Sequence, residues 1–301
     1  MTNKVTAFQI KLNSLLRKIG YTRDPEFIPV FFFARSGSTV HGATLNTHSN
    51  CVSLNEAFET YTDKDGIPYL KINKPRTLDV YFSHFENHRI ALNRDNFLSL
   101  IKQHPSYQRA NKGKYLTHCF VQFNEFYFPI FQDKLDFDAF FSFIGREFPG
   151  MIFISRKNSL AQSVSVKRAR EFDIWHSSTL NKNQDLNKSV YYNPTGPYTS
   201  HLVSGNNLVE FLENKQACEK AILETAQKYN KRLLHLTYED DIESDVTIGV
   251  NKVIDFFDIP ESAKPLKVPL QKTSFGLKND ISNYDEISAL LKGSSVEWML
   301  T

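Results

Sequence analysis

Long apolar runs are missing from this chain: no stretch approaches the ~18 residues that a membrane-spanning helix needs. Cysteine is scarce. Cys51, Cys119 and Cys218 are odd in number and far apart, which excludes a disulfide framework and a zinc-finger spacing. That usage points to a reducing compartment, the cytoplasm. Charge of one sign is lacking too. The 36 Lys and Arg against 33 Asp and Glu leave +3, too little to imply nucleic acid or a membrane surface, though it suits an anionic ligand weakly. The opening Met1-Thr2-Asn3-Lys4 runs into an amphipathic stretch and not an apolar h-region, so no signal peptide is expected. There is no G-x-G-x-x-G, which excludes the dinucleotide fingerprint, and no Gly-Lys-Ser or Gly-Lys-Thr. The nearest match, Gly113-Lys114-Tyr115, lacks the hydroxyl that holds magnesium in nucleotide triphosphate loops. Internal repeats and low-complexity tracts are also absent.

Aromatic residues are plentiful, with 25 Phe and 13 Tyr, and a Phe-rich core is the plain explanation. A chain of 301 residues can bury one large α/β core, so a single domain over 1–301 is expected. Residues 4–19 carry Val5, Phe8, Leu12, Leu15, Leu16 and Ile19 at helical spacing and make 1–24 an added N-terminal helix. Buried strands are predicted from Glu26 or Phe27 to Phe33, from Tyr115 to Phe123, over Met151–Ser155 and over 232–237, with a short one at Cys51–Leu54. Helices are predicted from about Thr39 to Asn46, over 93–104, Phe137–Phe148, Ser159–Trp175, 207–230, 246–257 and 283–292. Residues 61–78 are turn-rich and read as a surface excursion, and 177–206 as a long loop without periodicity. Strands alternating with helices give a three-layer α/β fold, a parallel sheet with helices on both faces.

The segment Phe31-Phe32-Phe33-Ala34-Arg35-Ser36-Gly37-Ser38-Thr39 is the most informative part of the sequence. A buried strand breaks into a Ser/Gly/Thr loop and a helix follows. Backbone N–H groups and the helix dipole then converge on an anion. Gly37 permits close approach, Ser36, Ser38 and Thr39 bring hydroxyls, and Arg35 brings a fork-shaped cation. The loop suits phosphate or sulfate, with Arg35 in place of the P-loop lysine.

Further motifs follow in a set order. His48 and Glu56 come next, Glu56 lying 21 residues beyond Arg35. Ile152-Phe153-Ile154-Ser155-Arg156-Lys157-Asn158 leads into Gln162-Ser163-Val164-Ser165. Leu236-Thr237-Tyr238-Glu239-Asp240 precedes Val253-Ile254-Asp255-Phe256-Phe257. Lys272-Thr273-Ser274 and Ile281-Ser282-Asn283-Tyr284 close the series. From about residue 26 to 292 the chain resembles the sulfotransferases that use 3′-phosphoadenosine-5′-phosphosulfate (PAPS). The likeness is to their bacterial carbohydrate branch, which includes the Nod-factor and trehalose 2-sulfotransferases.

The resemblance implies a P-loop type sheet, a cytoplasmic bacterial enzyme, PAPS as donor and no metal. It implies that Arg35, Ser36, Gly37, Ser38 and Thr39 hold the 5′-phosphosulfate. Arg156 or Lys157, with Ser165, would hold the 3′-phosphate, the register between the two cations being open. Lys272 and Ser274 would close over the nucleotide, and Trp175 would stack on the adenine, line the acceptor groove or simply pack. Glu56 occupies the branch's general-base position. Its plain alternative is a first-turn helix glutamate, which Ala57-Phe58-Glu59 would permit. His118 is the rival base, since the cytosolic branch uses a histidine near such a strand. Gln122 stands where the carbohydrate branch has a lysine. The implied acceptor is a carbohydrate or glycolipid hydroxyl, with 177–206 on the acceptor side; a phenol, a lipid or a small metabolite is the alternative, and a nucleotide-binding module without chemistry is another. A homodimer is compatible with it. Lys167, Arg168 and Arg170 read as a solvated helix face. His84 and His88 have i, i+4 spacing but no third zinc ligand nearby.

Overall fold

The computed structural model describes residues 24–54, 59–62, 68–71, 94–103, 107–110, 116–124, 137–172, 188–200, 202–270 and 276–301. Its strands in chain order are β1 (Glu26–Phe32), β2 (Cys51–Leu54), β3 (Glu59–Thr62), β4 (Pro68–Lys71), β5 (His118–Asn124), β6 (Met151–Ser155), β7 (Tyr198–Thr199), β8 (Ser204–Gly205) and β9 (Leu233–Thr237). Its α-helices are α1 (Ser38–Leu45), α2 (Arg94–Gln103), α3 (Phe137–Glu147), α4 (Ser159–Phe172), α5 (Leu208–Tyr229), α6 (Tyr238–Asp241), α7 (Val246–Phe256), α8 (Leu277–Asp280) and α9 (Tyr284–Leu291). A 3-10 turn spans Glu297–Leu300.

A strand that is apolar on both faces belongs in the middle of a parallel sheet. β1 is such a strand, buried from Phe27 onward. The main sheet runs β2-β5-β1-β6-β9, and each of its neighbouring pairs is parallel. Pro29 has no N–H to donate, and the β1–β6 pairing begins one residue later, at Val30. The two-residue period of β1 splits its side chains between two cores. Phe27, Phe31 and the following Phe33 pack with Ile101 of α2, Phe141 and Ile144 of α3 and Ile222 of α5. Ile28, Val30 and Phe32 pack with Leu45 of α1 and Val246, Val250 and Val253 of α7. The Phe-rich core is real: Phe31 meets Phe153 at 5.1 Å and Phe141 at 5.4 Å between ring centroids. α3 and α5 approach so closely at Gly145 that a Cβ there would stand 2.1 Å from the Tyr229 carbonyl oxygen.

A third cluster covers α4. Leu160 and Val164 pack with Val190, Leu208, Ile287, Leu291 and Met299, so the last part of the chain lies against this helix. Arg168, expected on a solvated face, is instead buried and pairs with Asp280 at 2.7 Å. Burying a cation requires such a partner.

Three predicted segments differ from expectation. The excursion at 61–78 contains part of the antiparallel hairpin β3–β4, with Tyr61 opposite Tyr69. Within 177–206 a short ladder forms, Tyr198 pairing with Gly205 and Thr199 with Ser204. A four-residue helix, α6, begins at Tyr238 directly after β9. The helix expected over 4–19 lies outside the described residues. No helix among the described residues is long and apolar enough to cross a membrane.

Chain direction positions the site. β1 connects to β2 through α1 on one face, whereas β6 connects to β9 through α4 and then α5, which packs on the other. Adjacent parallel strands whose connections run to opposite sides leave a crevice at their carboxyl ends.

Candidate anion-binding site at the carboxyl ends of β1 and β6

The loop at the end of β1 is tightly curled. Ser36 N–H donates back to the Phe33 carbonyl at 3.2 Å. Arg35 (φ 62°) and Gly37 (φ 83°) are both left-handed. Alternating backbone of this kind forms the concave N–H nests that hold anions. For Arg35 the conformation costs about 1–3 kcal/mol, which the surrounding bonds must offset. Gly37 has no alternative: a Cβ would lie 2.8 Å from both Ile242 Cγ2 and Tyr238 Cδ2. α1 starts immediately after it, with His41 N–H on the Gly37 carbonyl at 3.0 Å and no acidic residue in its first turn. Ser36 is fully buried, and its hydroxyl has no hydrogen-bond partner among the described residues. A buried hydroxyl left in that state costs about 1–3 kcal/mol, a cost that an anion oxygen would remove. Ser38 is buried and Thr39 half-buried.

Side chains from β6 and α4 converge on this loop. Arg35 Nε donates to Ser165 Oγ at 2.9 Å. Gln162 Nε2 donates to the Ala34 carbonyl at 2.7 Å. Arg156 Nη1 donates to the Arg35 carbonyl at 3.3 Å. Arg156 is only 8% exposed, stacks over the Tyr238 ring at 4.4 Å and faces Glu239 at 3.6 Å. Glu239 does a second job. Its two carboxylate oxygens accept the N–H groups of Lys157 (2.9 Å) and Asn158 (3.1 Å), fixing the turn that carries Arg156. Asn158 ties the same turn to the end of the chain, Nδ2 donating to the Met299 carbonyl at 2.7 Å. Lys157 points elsewhere: its ammonium pairs with both oxygens of Asp240 at 2.6 and 2.7 Å on the surface. Of the two cations open in the sequence, Arg156 is the one at the loop.

Gln122 lies beneath the loop, Nε2 donating to the Ser38 carbonyl (3.3 Å) and to Ser53 Oγ (3.2 Å). Behind it, His41 is buried, and burial pushes its pKa down to about 4, against smaller opposing effects from the Gly249 carbonyl and Asp241.

His118 is not part of this cluster. The register sets His118 opposite Glu26 and Cys51, at the amino end of the sheet, while Phe32 is level with Asn124. Six strand residues separate the two ends, on the order of 20 Å. Its Nδ1 lies 2.7 Å from Thr117 Oγ1, and burial, reinforced by His48 and Arg232, pushes its pKa down to about 4. The rival base of the sequence reading thus lies at the opposite end of the sheet from the loop. Glu56, Trp175, Lys272, Ser274, His84 and His88 lie outside the described residues. β2 runs parallel to β5, so that its last residue, Leu54, lies level with Val121. Among the described residues no three His, Cys, Asp or Glu side chains are grouped to hold a metal ion.

Gln162, Tyr238 and Glu239 are visible in the sequence as parts of motifs, but their roles are not. Only the fold shows that Gln162 grips the loop and that Glu239 braces the Arg156 turn. No family model matches this chain, and no curated protein matches it either.

Proposed function

We propose that this chain is a PAPS-dependent sulfotransferase acting on an acceptor hydroxyl, and that its sheet is of P-loop type. One observation carries the reading: two arginines, Arg35 and Arg156, meet with Ser165 and the Ser36 hydroxyl, which has no partner among the described residues, at the crevice between β1 and β6. The sheet order supports it, since the phosphate-type loop follows the central strand at the topological switch point. The residues fit a nucleotide phosphorylated at both ends. The loop offers backbone N–H groups and Arg35 to the 5′ end, and Arg156 with Ser165 offers a second cationic site.

In the reaction the acceptor oxygen forms a new bond to sulfur as the sulfur–oxygen bond to the 5′-phosphate breaks. Negative charge grows on that phosphate oxygen. Arg35 neutralises it, and the preset loop does so without reorganising. Glu56 takes the acceptor proton. Arg156, braced by Glu239 and Tyr238, orients the donor through its 3′-phosphate. The acceptor is read as a carbohydrate or glycolipid, and the enzyme as cytoplasmic and bacterial.

The test is a thermal-shift titration with 3′-phosphoadenosine 5′-phosphate (PAP), AMP and ATP. PAP alone carries phosphates for both sites, so it raises the melting temperature far more than the others. Equal stabilisation by AMP would remove the second phosphate site and with it the proposal.

A further inference from the structure

A cavity of about 510 Å³ opens beside the loop, reaching it through Ala34 and Gln162. This volume is that of a small-molecule site. One wall is a single face of α4: Gln162, Ser163, Val166, Lys167 and Arg170 recur at helical spacing. Lys167 and Arg170 therefore border a cavity, although the charge run reads as a solvated face. The facing wall is aromatic. Tyr192 stacks on Tyr198 at 5.8 Å, and Tyr198 on Phe211 at 5.6 Å. Lys215 and Glu219 of α5, paired with each other, complete the lining.

Three features are unspent. Gln162 is 1% exposed, and its Oε1 has no hydrogen-bond partner among the described residues, its Nε2 being used by Ala34. The Tyr198 hydroxyl is buried and likewise unpartnered. Both call for a ligand rich in hydroxyl groups. The third is charge. Lys167 pairs with Glu171 and Lys215 with Glu219, whereas Arg170 makes no ion pair among the described residues. The lining thus keeps one net positive charge, on a guanidinium shaped for a carboxylate. Gln162 and Arg170 are eight residues apart on α4, a rise of about 12 Å, longer than one sugar ring.

Resting on the sulfotransferase reading, we infer that this cavity is the acceptor pocket and takes an acidic saccharide of two or more rings. A ring lies against the Tyr192–Tyr198 stack, its hydroxyls engage Gln162 Oε1 and the Tyr198 hydroxyl, and its carboxylate pairs with Arg170. The end nearest Gln162 is then the end presented to the loop.

The experiment compares cellobiouronic acid with neutral cellobiose by calorimetry and ligand-observed NMR, on the whole chain and on Arg170→Gln. The acidic disaccharide binds about fivefold tighter or more, a charge-assisted pair being the difference, and Arg170→Gln brings the two sugars level. Equal binding, no binding of either, or a preference that survives in Arg170→Gln overturns the inference. Displacement of the sugar by PAP also overturns it, because the cavity would then be the nucleotide's. A PAP titration of the same samples reads the nucleotide site separately. Loss of PAP binding with sugar preference intact strikes the enzyme reading alone; PAP binding without sugar preference strikes only the pocket.

Discussion

The two edges of one parallel sheet make an instructive contrast. At the amino edge His118, His48 and Asn50 are polar and buried, yet they serve packing. Asn50 Nδ2 donates to the Pro260 carbonyl at 3.1 Å, and His48 Nδ1 accepts the Asn50 N–H at 3.3 Å. At the carboxyl edge the polar groups come from β1, β6 and α4 at once, the backbone is left-handed at Arg35, and the Ser36 hydroxyl lacks a partner among the described residues. Both edges hold buried polar groups. What separates them is convergence: at the amino edge Asn50 and His118 bond to separate neighbours, whereas at the carboxyl edge Arg35, Gln162 and Arg156 are all tied to one loop.

That contrast is open to attack. On the proposed reading the largest effect belongs to Arg35→Ala, which removes the cation assigned to the leaving oxygen. Turnover at saturating PAPS falls by about 10²–10³-fold. Glu56→Gln lowers turnover by about 10²-fold with PAP affinity held, since a base on the acceptor side contributes little to donor binding. Unchanged turnover in either variant would erase the distinction between the edges. Next comes a pairwise test. Arg156→Ala weakens PAP binding about 10- to 100-fold by calorimetry, the range for a lost charged hydrogen bond. Lys157→Ala, whose ammonium is spent on Asp240 at the surface, changes it less than about twofold. A reversal of that order would mean that the turn after β6 is read in the wrong register.

The smallest effect probes the amino edge. His118→Asn leaves PAP affinity unchanged. Its signature is in the pH dependence of folding. The unfolded histidine takes a proton near 6.5, and the folded one only near 4. The unfolded state binds more protons in that window, so stability falls as pH drops from about 6.5 to about 4 and then levels off. Each depressed histidine contributes up to about 1.4 kcal/mol per pH unit there. His41 behaves likewise. Denaturant unfolding at pH 4.5 and 7 reads the slope as about one such contribution smaller in His118→Asn. An unchanged slope would show that burial does not hold His118 neutral.

The main strands were legible because burial on both faces writes itself as unbroken apolar runs, as in Phe27–Phe33 and Met151–Ile154. The loop was legible through its hydroxyls and Gly37. The hairpin β3–β4 was not, since Gly66 and Pro68 mark a turn without saying that its flanks pair. Nor was the distance between His118 and Arg35: a parallel sheet assigns function by strand end, and direction is a property of register. Of the cations of α4, Arg168 was misread for a similar reason, whereas Arg170 is exposed as expected. Arg168 and Arg170 are two residues apart, yet a helix turns them to different surroundings, one into a buried pair with Asp280 and one to a cavity.

The bond from Asn158 to the Met299 carbonyl has a long reach. The turn that carries Arg156 is steadied by a residue two places from Thr301, and Met299 is fully buried. A substitution that unseats Met299 from the core loosens the 3-10 turn that supplies this carbonyl, and with it the arginine at the loop, through a bond spanning 141 residues of sequence.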